Sequence, residues 1–257
     1  MNRINHLFET KQKDIVSIYF TAGHPRPNTA KDIIVSLEKN GIDMIEIGMP
    51  FSDPLADGPT IQRSSEQALE DGMSVKQLLS EIKDIRQEVK IPLLLMGYFN
   101  TVLKYGVEKF CQDISTIGID GVILPDLPLN YYQENFQATF EKYNIIPVFL
   151  ITPQTPEERI LETARLSKGF IYTVSTAATT GTQSGYTQET MDYFKRIADM
   201  NLGVPNVVGF GISNAETLAQ ASQYSNGGII GSAFVKAIDK SQDLEKDIAN
   251  FIKVLKK

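Results

Sequence analysis

IVSIYF, residues 15–20, is the first of eight short apolar runs that decide the fold of this chain. The remaining runs, in order along the sequence, are residues 44–47, 93–96, 122–124, 145–150, 170–174, 207–210 and 228–230. Amphipathic helical stretches such as residues 32–38 and 157–164 lie between most of them, with Pro and Gly at the joins. This alternation indicates parallel strands connected by helical crossovers.

The strands predicted from these runs have apolar residues on both faces, as expected when helices cover the sheet. Eight of them favour closure into a (β/α)8 barrel, and the length of 257 residues matches the roughly 250 that this fold needs. A doubly wound open sheet is the alternative. It is disfavoured because TAGHP, residues 21–25, follows the first run in place of a G-x-G-x-x-G turn. We therefore predict one barrel domain over residues 1–257, preceded by an extra amino-terminal helix.

The composition is that of an ordinary globular protein, with 42% hydrophobic and 22% charged residues. A net charge of −6 comes without the basic stripe that nucleic-acid binding requires, so we expect no nucleic-acid partner. The first residues lack an apolar run with a cleavage site, and no later segment is apolar for long enough to span a bilayer. These features predict a cytoplasmic chain that does not associate with membranes.

Cysteine and histidine are scarce. The only cysteine, Cys111, lies within a helical pattern, which predicts a buried, unreactive thiol rather than a nucleophile. The two histidines, His6 and His24, are far apart and in no ligand spacing. We therefore expect no metal site in this chain.

The segment IEIGMPFSDPLADGPT, residues 45–60, is the most informative for function. Glu46 interrupts an apolar strand, and alternation points it away from Ile45 and Ile47. If the isoleucines meet the helices, Glu46 faces the lumen of the barrel. Burial there raises the pKa of a carboxyl group toward the range that suits general acid–base catalysis. A structural glutamate held in an ion pair is the competing interpretation.

A second carboxylate, Asp57, follows in the loop after the same strand, between residues 48 and 60. An aspartate before glycine is commonly only a turn former. In a barrel, however, this loop emerges at the carboxyl end of the strands, where active sites are built. Two carboxylates in different surroundings there would allow acid and base roles to be divided between them. The loop after the sixth strand, residues 175–187, is also long and opens at the same end.

Glycines at the ends of the last strands predict an anion site. Barrels hold phosphate with the loops after strands seven and eight, using backbone N–H groups and the start of a helix. GFGIS, residues 209–213, follows the seventh strand, and GSAFV, residues 231–235, follows the eighth. With Thr180-Gly181 after the sixth strand, they predict a phosphate site that includes Gly211, Gly231 and Ser232. Simple tight turns are the alternative for each glycine taken alone.

The stretch from Glu46 to Gln62, with its PFSDPLADGPTIQ core, resembles the signature of the tryptophan synthase α-subunit family. The resemblance extends along the whole chain through shorter motifs: Leu7-Phe8, Thr21-x-Gly23-x-Pro25, Tyr98-x-Asn100, Asp126-x-Pro128, Tyr172, Thr180-Gly181, residues 209–213 and residues 231–233. It implies a barrel lyase that splits indole-3-glycerol phosphate into indole and glyceraldehyde 3-phosphate. It also implies an α2β2 heterotetramer, whose β subunit carries pyridoxal phosphate and joins indole to serine. No cofactor is expected in this chain.

The resemblance also implies roles for individual residues. Glu46 would deliver a proton to indole C3 and remove one from the adjacent glycerol hydroxyl, and Asp57 would accept a hydrogen bond from the indole N–H. Tyr172 would support the substrate and Glu46, although a strand tyrosine is by default a core residue. The remaining substrate contacts implied are Tyr19, Phe20 and Thr180 beside the indole, with Phe210, Gly181, Gly211, Gly231 and Ser232 toward the phosphate end.

A Schiff-base lysine or a metal could support related chemistry. The apolar runs carry no lysine at a strand end, and the sequence has no cluster of metal ligands. Two other interpretations stay open: a different phosphate-binding barrel, such as an isomerase or epimerase, and a degenerate barrel that only activates a partner. An epimerase would need histidines at strand ends, and a degenerate barrel would be expected to lack Glu46 or Asp57.

The sixth loop departs from the family pattern. Many members carry Ser-Arg-x-Gly before the Thr-Gly pair, whereas this chain reads STAATTG over residues 175–181. Thr176 and Ala178 thus replace the usual arginine and glycine. The difference bears on how this loop closes and signals to a partner, and not on the chemistry of Glu46 and Asp57.

Overall fold

The computed structural model describes residues 1–54, 57–175 and 185–256. Within these residues, eight parallel strands follow one another around a closed barrel, and β8 pairs with β1. The strands are β1 (Ile15–Thr21), β2 (Met44–Gly48), β3 (Leu93–Met96), β4 (Gly121–Ile123), β5 (Ile146–Ile151), β6 (Ile171–Val174), β7 (Asn206–Gly209) and β8 (Gly227–Ile230). The predicted (β/α)8 barrel is confirmed, and strand boundaries differ from the predicted runs by at most one residue.

Helices surround the strands and cover the amino end of the barrel. They are α1 (Arg3–Thr10), α2 (Ala30–Lys39), α3 (Pro59–Glu70), α4 (Val75–Glu81), α5 (Phe99–Tyr105), α6 (Val107–Ile117), α7 (Leu129–Asn135), α8 (Gln137–Lys142), α9 (Glu157–Leu166), α10 (Gln188–Asp199), α11 (Ala215–Ser222), α12 (Ser232–Ile238) and α13 (Leu244–Leu255). A short 3₁₀ turn, Ile85–Gln87, follows α4. None of the helices in the described ranges is both long and apolar enough to cross a membrane.

Alternation along each strand separates two apolar layers. Outward residues such as Ile18, Ile45 and Ile47 pack against the helices in the larger buried cluster. Inward residues such as Met44 and Ile229 fill the lumen in a smaller cluster. Glu46 lies between Ile45 and Ile47, so its side chain points into the lumen, as the sequence predicts.

Helix α1 closes the amino end of the barrel. Ile4 and Phe8 are buried in the lumen cluster, and the Asn2 amide donates hydrogen bonds to the backbone oxygens of Asp120 and Asn144. The predicted amino-terminal helix is therefore confirmed. Because the amino end is filled in this way, access to the interior is left to the carboxyl end, where the loops after the strands gather.

Two of the loops at the carboxyl end run into helices with well-defined starts. Helix α3 begins at Pro59, because proline suits the first turn of a helix. Helix α10 begins after Thr187, whose side chain accepts a hydrogen bond from the backbone N–H of Thr190. Cys111, on the core face of α6, is fully buried as predicted, and burial raises the pKa of its thiol to about 12.

Candidate active site

Glu46 on β2 is fully buried in the lumen. Its Oε1 accepts a hydrogen bond of 3.1 Å from the Ser17 hydroxyl, whereas Oε2 is buried with no hydrogen-bond partner among the described residues. Burial raises the pKa of Glu46 to about 8, and the Ser17 hydrogen bond opposes that rise. A carboxyl group with this pKa exchanges its proton near neutral pH, which is what general acid–base catalysis requires.

Two tyrosines face the same space as Glu46. Tyr19 is paired in register with Glu46 across β1 and β2, and Tyr172 points into the lumen from β6. Burial raises the pKa of both phenols well above the usual value, and the negative charges of Asp57 and Glu46 raise them further. The two phenols therefore stay neutral, and each lies within electrostatic range of both carboxylates.

Asp57 lies above the mouth of the barrel, in the loop between β2 and α3. Tyr98 donates a hydrogen bond of 3.3 Å to Asp57 Oδ2, and the Gln62 side chain donates one of 2.7 Å to the backbone oxygen of Asp57. The ring of Phe51 stacks on Tyr98, with centroids 4.8 Å apart. Partial burial raises the pKa of Asp57, and the Tyr98 hydrogen bond opposes that rise. Tyr98 thus anchors both the loop and its carboxylate.

The loop after β7 has an unusual backbone. Phe210 and Gly211 have φ of +67° and +76°, in the left-handed region that side chains other than glycine rarely adopt. The sequence pattern continues β7 through Phe210, but the strand ends at Gly209 because the chain turns here. The backbone oxygen of Phe210 accepts hydrogen bonds from Ser175 at 3.0 Å and Tyr186 at 2.8 Å.

These two hydrogen bonds connect the loops after β6 and β7. Ser175 directly follows β6 and Tyr186 precedes α10, and both side chains donate to the same backbone oxygen of Phe210. The rings of Phe210 and Tyr172 meet edge to face, with centroids 6.2 Å apart. Tyr172 in turn lies so close to Gly209 that any side chain there would overlap its ring. Phe210 and Tyr172 are therefore fixed against each other at one side of the mouth.

Ser232 is the first residue of α12, and Gly231 is the residue that caps this helix. The structure thus makes Ser232 a first-turn residue of this helix. Tyr19 lies on the other side of Gly231, since a Cβ atom at Gly231 would be 3.5 Å from its ring. The first N–H groups of a helix have no acceptor within the helix. The start of α12 therefore presents, beside Tyr19, N–H groups that have no acceptor within the helix.

The structure brings most of the predicted site residues to one end of the barrel. Glu46, Asp57, Tyr19 and Tyr172 form one group, while Phe210, Gly211, Gly231 and Ser232 lie at the ends of β7 and β8. Thr180 and Gly181, like Thr176 and Ala178, lie outside the described residues.

The expectation that Phe20 borders the indole is wrong. Alternation along β1 turns Phe20 away from the lumen, and it packs under the helices in the outer cluster. Its neighbour Tyr19 occupies the lumen face instead.

Sequence reasoning missed three residues that shape the site: Ser17, Tyr98 and Tyr186. Alternation could have found Ser17, because it lies two residues before Tyr19 and so shares its face of β1. In the sequence, Tyr98 is noted only as part of the motif Tyr98-x-Asn100, and Tyr186 is not noted. No local pattern indicates the residues that these two tyrosines contact. Within the described ranges, no three His, Cys, Asp or Glu side chains are grouped closely enough to hold a metal ion.

Fold and site together define a (β/α)8 barrel with a buried glutamate and a loop aspartate at the carboxyl end of its strands. The family model described as tryptophan synthase alpha chain matches residues 5–257. The chain belongs to this family, whose members are enzyme subunits of tryptophan biosynthesis.

Individual relatives agree with this assignment. The tryptophan synthase alpha chain of Flavobacterium psychrophilum is 57% identical over 241 residues, which cover 94% of this chain and 95% of the relative. Among solved structures, the alpha subunit of tryptophan synthase from Legionella pneumophila has a TM-score of 0.89 and 30% identity, and the match covers 100% of this chain and 97% of that one. A chain of the tryptophan synthase complex from Pyrococcus furiosus has a TM-score of 0.85 and 31% identity, and the match covers 95% of this chain and 98% of that one.

Proposed function

We propose that this chain cleaves indole-3-glycerol phosphate into indole and glyceraldehyde 3-phosphate by a retro-aldol reaction. The observation that carries the proposal is the buried Glu46, whose pKa of about 8 and unpartnered Oε2 suit it to exchange protons with a bound molecule. Membership of the tryptophan synthase alpha chain family supports the choice of substrate.

Glu46 accounts for both proton transfers. In its neutral form the carboxyl group gives its proton to C3 of the indole ring, which makes the ring a leaving group. The resulting carboxylate then takes the proton from the hydroxyl on the adjacent glycerol carbon. As that hydroxyl becomes a carbonyl, the C–C bond breaks and its electron pair returns to the indole. Glu46 ends the cycle protonated, as it began, so the step needs no other acid or base.

Asp57 stabilises the intermediate. Protonation at C3 places positive charge on the indole nitrogen, and a carboxylate that accepts the N–H hydrogen bond offsets this charge. Tyr98 donates to Oδ2 of Asp57, and the second oxygen, Oδ1, would accept the hydrogen bond from the substrate. A preorganised charge of this kind is typically worth about 3–4 kcal/mol of the barrier.

The rest of the substrate would lie between these acids and the ends of β7 and β8. Buried Tyr172 and half-buried Tyr19 supply aromatic walls for the indole, in keeping with the largely apolar lining of small-molecule sites. Backbone N–H groups at Gly211, Gly231 and Ser232 would hold the phosphate, because helix starts and left-handed turns present such donors. Thr180 and Gly181 stay predicted contacts.

We further propose that the chain works in the cytoplasm with a β subunit, as half of an α2β2 heterotetramer. The β subunit would use pyridoxal phosphate to join the released indole to serine, and no cofactor would bind to this chain. The Pyrococcus furiosus relative, which was solved as a tryptophan synthase complex, supports this. Leu103 on α5 and Tyr131 on α7 are large apolar side chains exposed to solvent. Exposed apolar side chains of this kind suit contact with a protein partner.

The test is to incubate the purified chain with indole-3-glycerol phosphate and measure glyceraldehyde 3-phosphate, with and without a β subunit. We expect slow cleavage by the chain alone and faster cleavage in the complex. The Asp57→Asn variant should lower turnover by about 100- to 1,000-fold. No product under either condition would overturn the proposed reaction, and full turnover by Asp57→Asn would remove Asp57 from the mechanism.

The partner is tested separately by calorimetric titration of the chain with a β subunit. Because coupling between sites is reciprocal, a non-cleavable substrate analogue should tighten the complex by the factor by which the β subunit tightens analogue binding. If the association constant of the two subunits is the same with and without the analogue, cleavage and assembly are not coupled. Thr176→Arg, which restores the residue usual in the family, would then be the first variant to test.

A further inference from the structure

Ser17 occupies a position in the barrel where a hydroxyl group is out of place. It is fully buried on the lumen face of β1, and its register partners on the neighbouring strands are Met44 and Ile229. Both of these belong to the apolar lumen cluster. Branched apolar residues dominate such layers in barrels, and a buried hydroxyl is costly unless it forms a hydrogen bond. The cost of burying the Ser17 hydroxyl in this apolar layer therefore indicates that the hydroxyl has a specific hydrogen-bonding role.

Its one side-chain hydrogen bond within the described ranges goes to Glu46. The donor is Ser17 Oγ and the acceptor is Glu46 Oε1, at 3.1 Å. The two residues are 29 positions apart in sequence and belong to adjacent strands. Glu46 Oε2 has no partner in the described part of the chain. The two carboxyl oxygens are therefore not equivalent.

We infer that Ser17 is a positioning residue for Glu46: its hydroxyl holds Oε1 as an acceptor, so that Oε2 is the oxygen that carries and delivers the transferred proton. The inference rests on the proposed function for the fate of that proton. A hydrogen already directed at Oε1 disfavours a second one on the same oxygen. Without Ser17 the carboxyl group could rotate and place its proton on either oxygen, which would make part of the population unproductive.

The same hydrogen bond affects when Glu46 ionises. A donor stabilises the carboxylate more than the neutral acid, so it lowers the pKa of Glu46 against the larger rise caused by burial. The titratable groups that face Glu46 are the neutral phenols of Tyr19 on β1 and Tyr172 on β6, and Asp57 lies in the loop that follows. None of these groups is altered by a substitution at position 17.

The test is a series of substitutions with two measurements. Ser17→Ala removes the donor, Ser17→Cys weakens it and Ser17→Thr keeps it. Ser36→Ala is the matched control, because Ser36 is a buried serine on α2 whose hydroxyl has no partner within the described ranges. The first measurement is the titration of Glu46 by carbon NMR in protein labelled at glutamate Cδ, with Glu46→Gln used to assign the signal. The second is the pH profile of kcat and KM for cleavage of indole-3-glycerol phosphate.

Ser17→Ala should raise the pKa of Glu46 by about one unit, as expected for loss of a hydrogen bond to a charged group. It should lower kcat about tenfold with KM within about twofold, because the inferred role of Ser17 acts through Glu46 and not through a contact with the substrate. Ser17→Cys should lie between alanine and the wild type, and Ser17→Thr and Ser36→Ala should match the wild type in both measurements.

An unchanged titration of Glu46 in Ser17→Ala would overturn the inference whatever the activity. An equal loss of kcat in Ser17→Ala and Ser17→Thr would do so as well, since a merely structural role does not depend on the hydroxyl. Absence of cleavage by the wild-type protein would instead overturn the proposed function, and the NMR titration is independent of that result.

Discussion

Two carboxylates are buried in the described part of this barrel, one near each end, and their surroundings are opposite. Asp120, beside the amino-end helix α1, forms ion pairs with Arg3 and Arg86 and accepts a hydrogen bond from the backbone N–H of Leu93. Glu46, toward the carboxyl end, has no cation partner and a single hydrogen bond, from Ser17, among the residues that the structure describes. Both are almost inaccessible to solvent.

The difference indicates that Asp120 has a structural role and Glu46 a chemical one. Buried polar groups in proteins are normally satisfied, so an unsatisfied one needs an explanation. Asp120 is satisfied on both oxygens and ties α1 to the strands. Glu46 Oε2 has no hydrogen-bond partner among the described residues, and burial raises the pKa of Glu46 to about 8. A group left in this condition costs stability, and such costs are concentrated at functional sites.

The largest effect expected is on turnover in Glu46→Gln. Glutamine keeps the shape of the side chain but cannot exchange a proton, so cleavage of indole-3-glycerol phosphate should fall by at least about 10³-fold. Circular dichroism and binding of a substrate analogue should be retained. Near-native turnover would show that Glu46, like Asp120, is only structural.

The next effect concerns the pH dependence of stability. Between pH 4.5 and about 8 the folded state keeps the Glu46 proton that the unfolded state has released. The stability contributed by the neutral form is therefore complete below pH 4.5 and is lost as the pH rises through this window. Glu46→Gln lacks this loss, so urea unfolding should show it gaining up to about 5 kcal/mol on the wild type by pH 8. Parallel curves for the two proteins would contradict the raised pKa.

The opposite behaviour is expected of Asp120→Asn. The substitution leaves Arg86 largely buried without its carboxylate, which should lower the free energy of unfolding by about 3 kcal/mol. Turnover per folded molecule should stay within about twofold of the wild type. Glu108→Gln is the matched control, because Glu108 pairs with Lys142 at the surface and should not move the unfolding midpoint. A loss of turnover in folded Asp120→Asn would contradict the purely structural role of Asp120.

The smallest effect concerns the phosphate end of the site. Gly211→Ala places a methyl group in a left-handed position, 2.8 Å from the ring of Tyr186. We expect KM for the phosphorylated substrate to rise about tenfold, roughly 1.4 kcal/mol, with little effect on binding of free indole. Gly203→Ala shares the left-handed backbone, with φ +74° and open space around the glycine. Gly203→Ala should therefore reproduce the backbone strain without the change in KM. If Gly211→Ala weakens binding of the phosphorylated substrate and of free indole equally, Gly211 is not part of the phosphate site.

Much of the barrel follows from local patterns. The eight apolar runs, the helices between them and the inward direction of Glu46 depend on side-chain periods of 2 and 3.6 residues, which short stretches of sequence already contain. The position of Asp57 above the mouth follows equally, because a loop after a parallel strand emerges at its carboxyl end. Phe20 shows why a prediction from resemblance should be compared with the strand pattern. The resemblance implied a contact with the indole, whereas alternation along β1 already points this side chain away from the lumen.

What only the tertiary structure decided is which side chains meet at the mouth. Ser17 holds Glu46 across 29 residues, Tyr98 holds Asp57 across 41, and Ser175 reaches the backbone oxygen of Phe210 across 35. No periodicity links positions so far apart. Closure of the barrel brings eight strand ends together whatever their distance along the chain, and the tilt and register of the strands then select the partners. The sequence thus determined where the two acids lie, and the closed sheet decided that one oxygen of Glu46 is held by Ser17 while the other is left free.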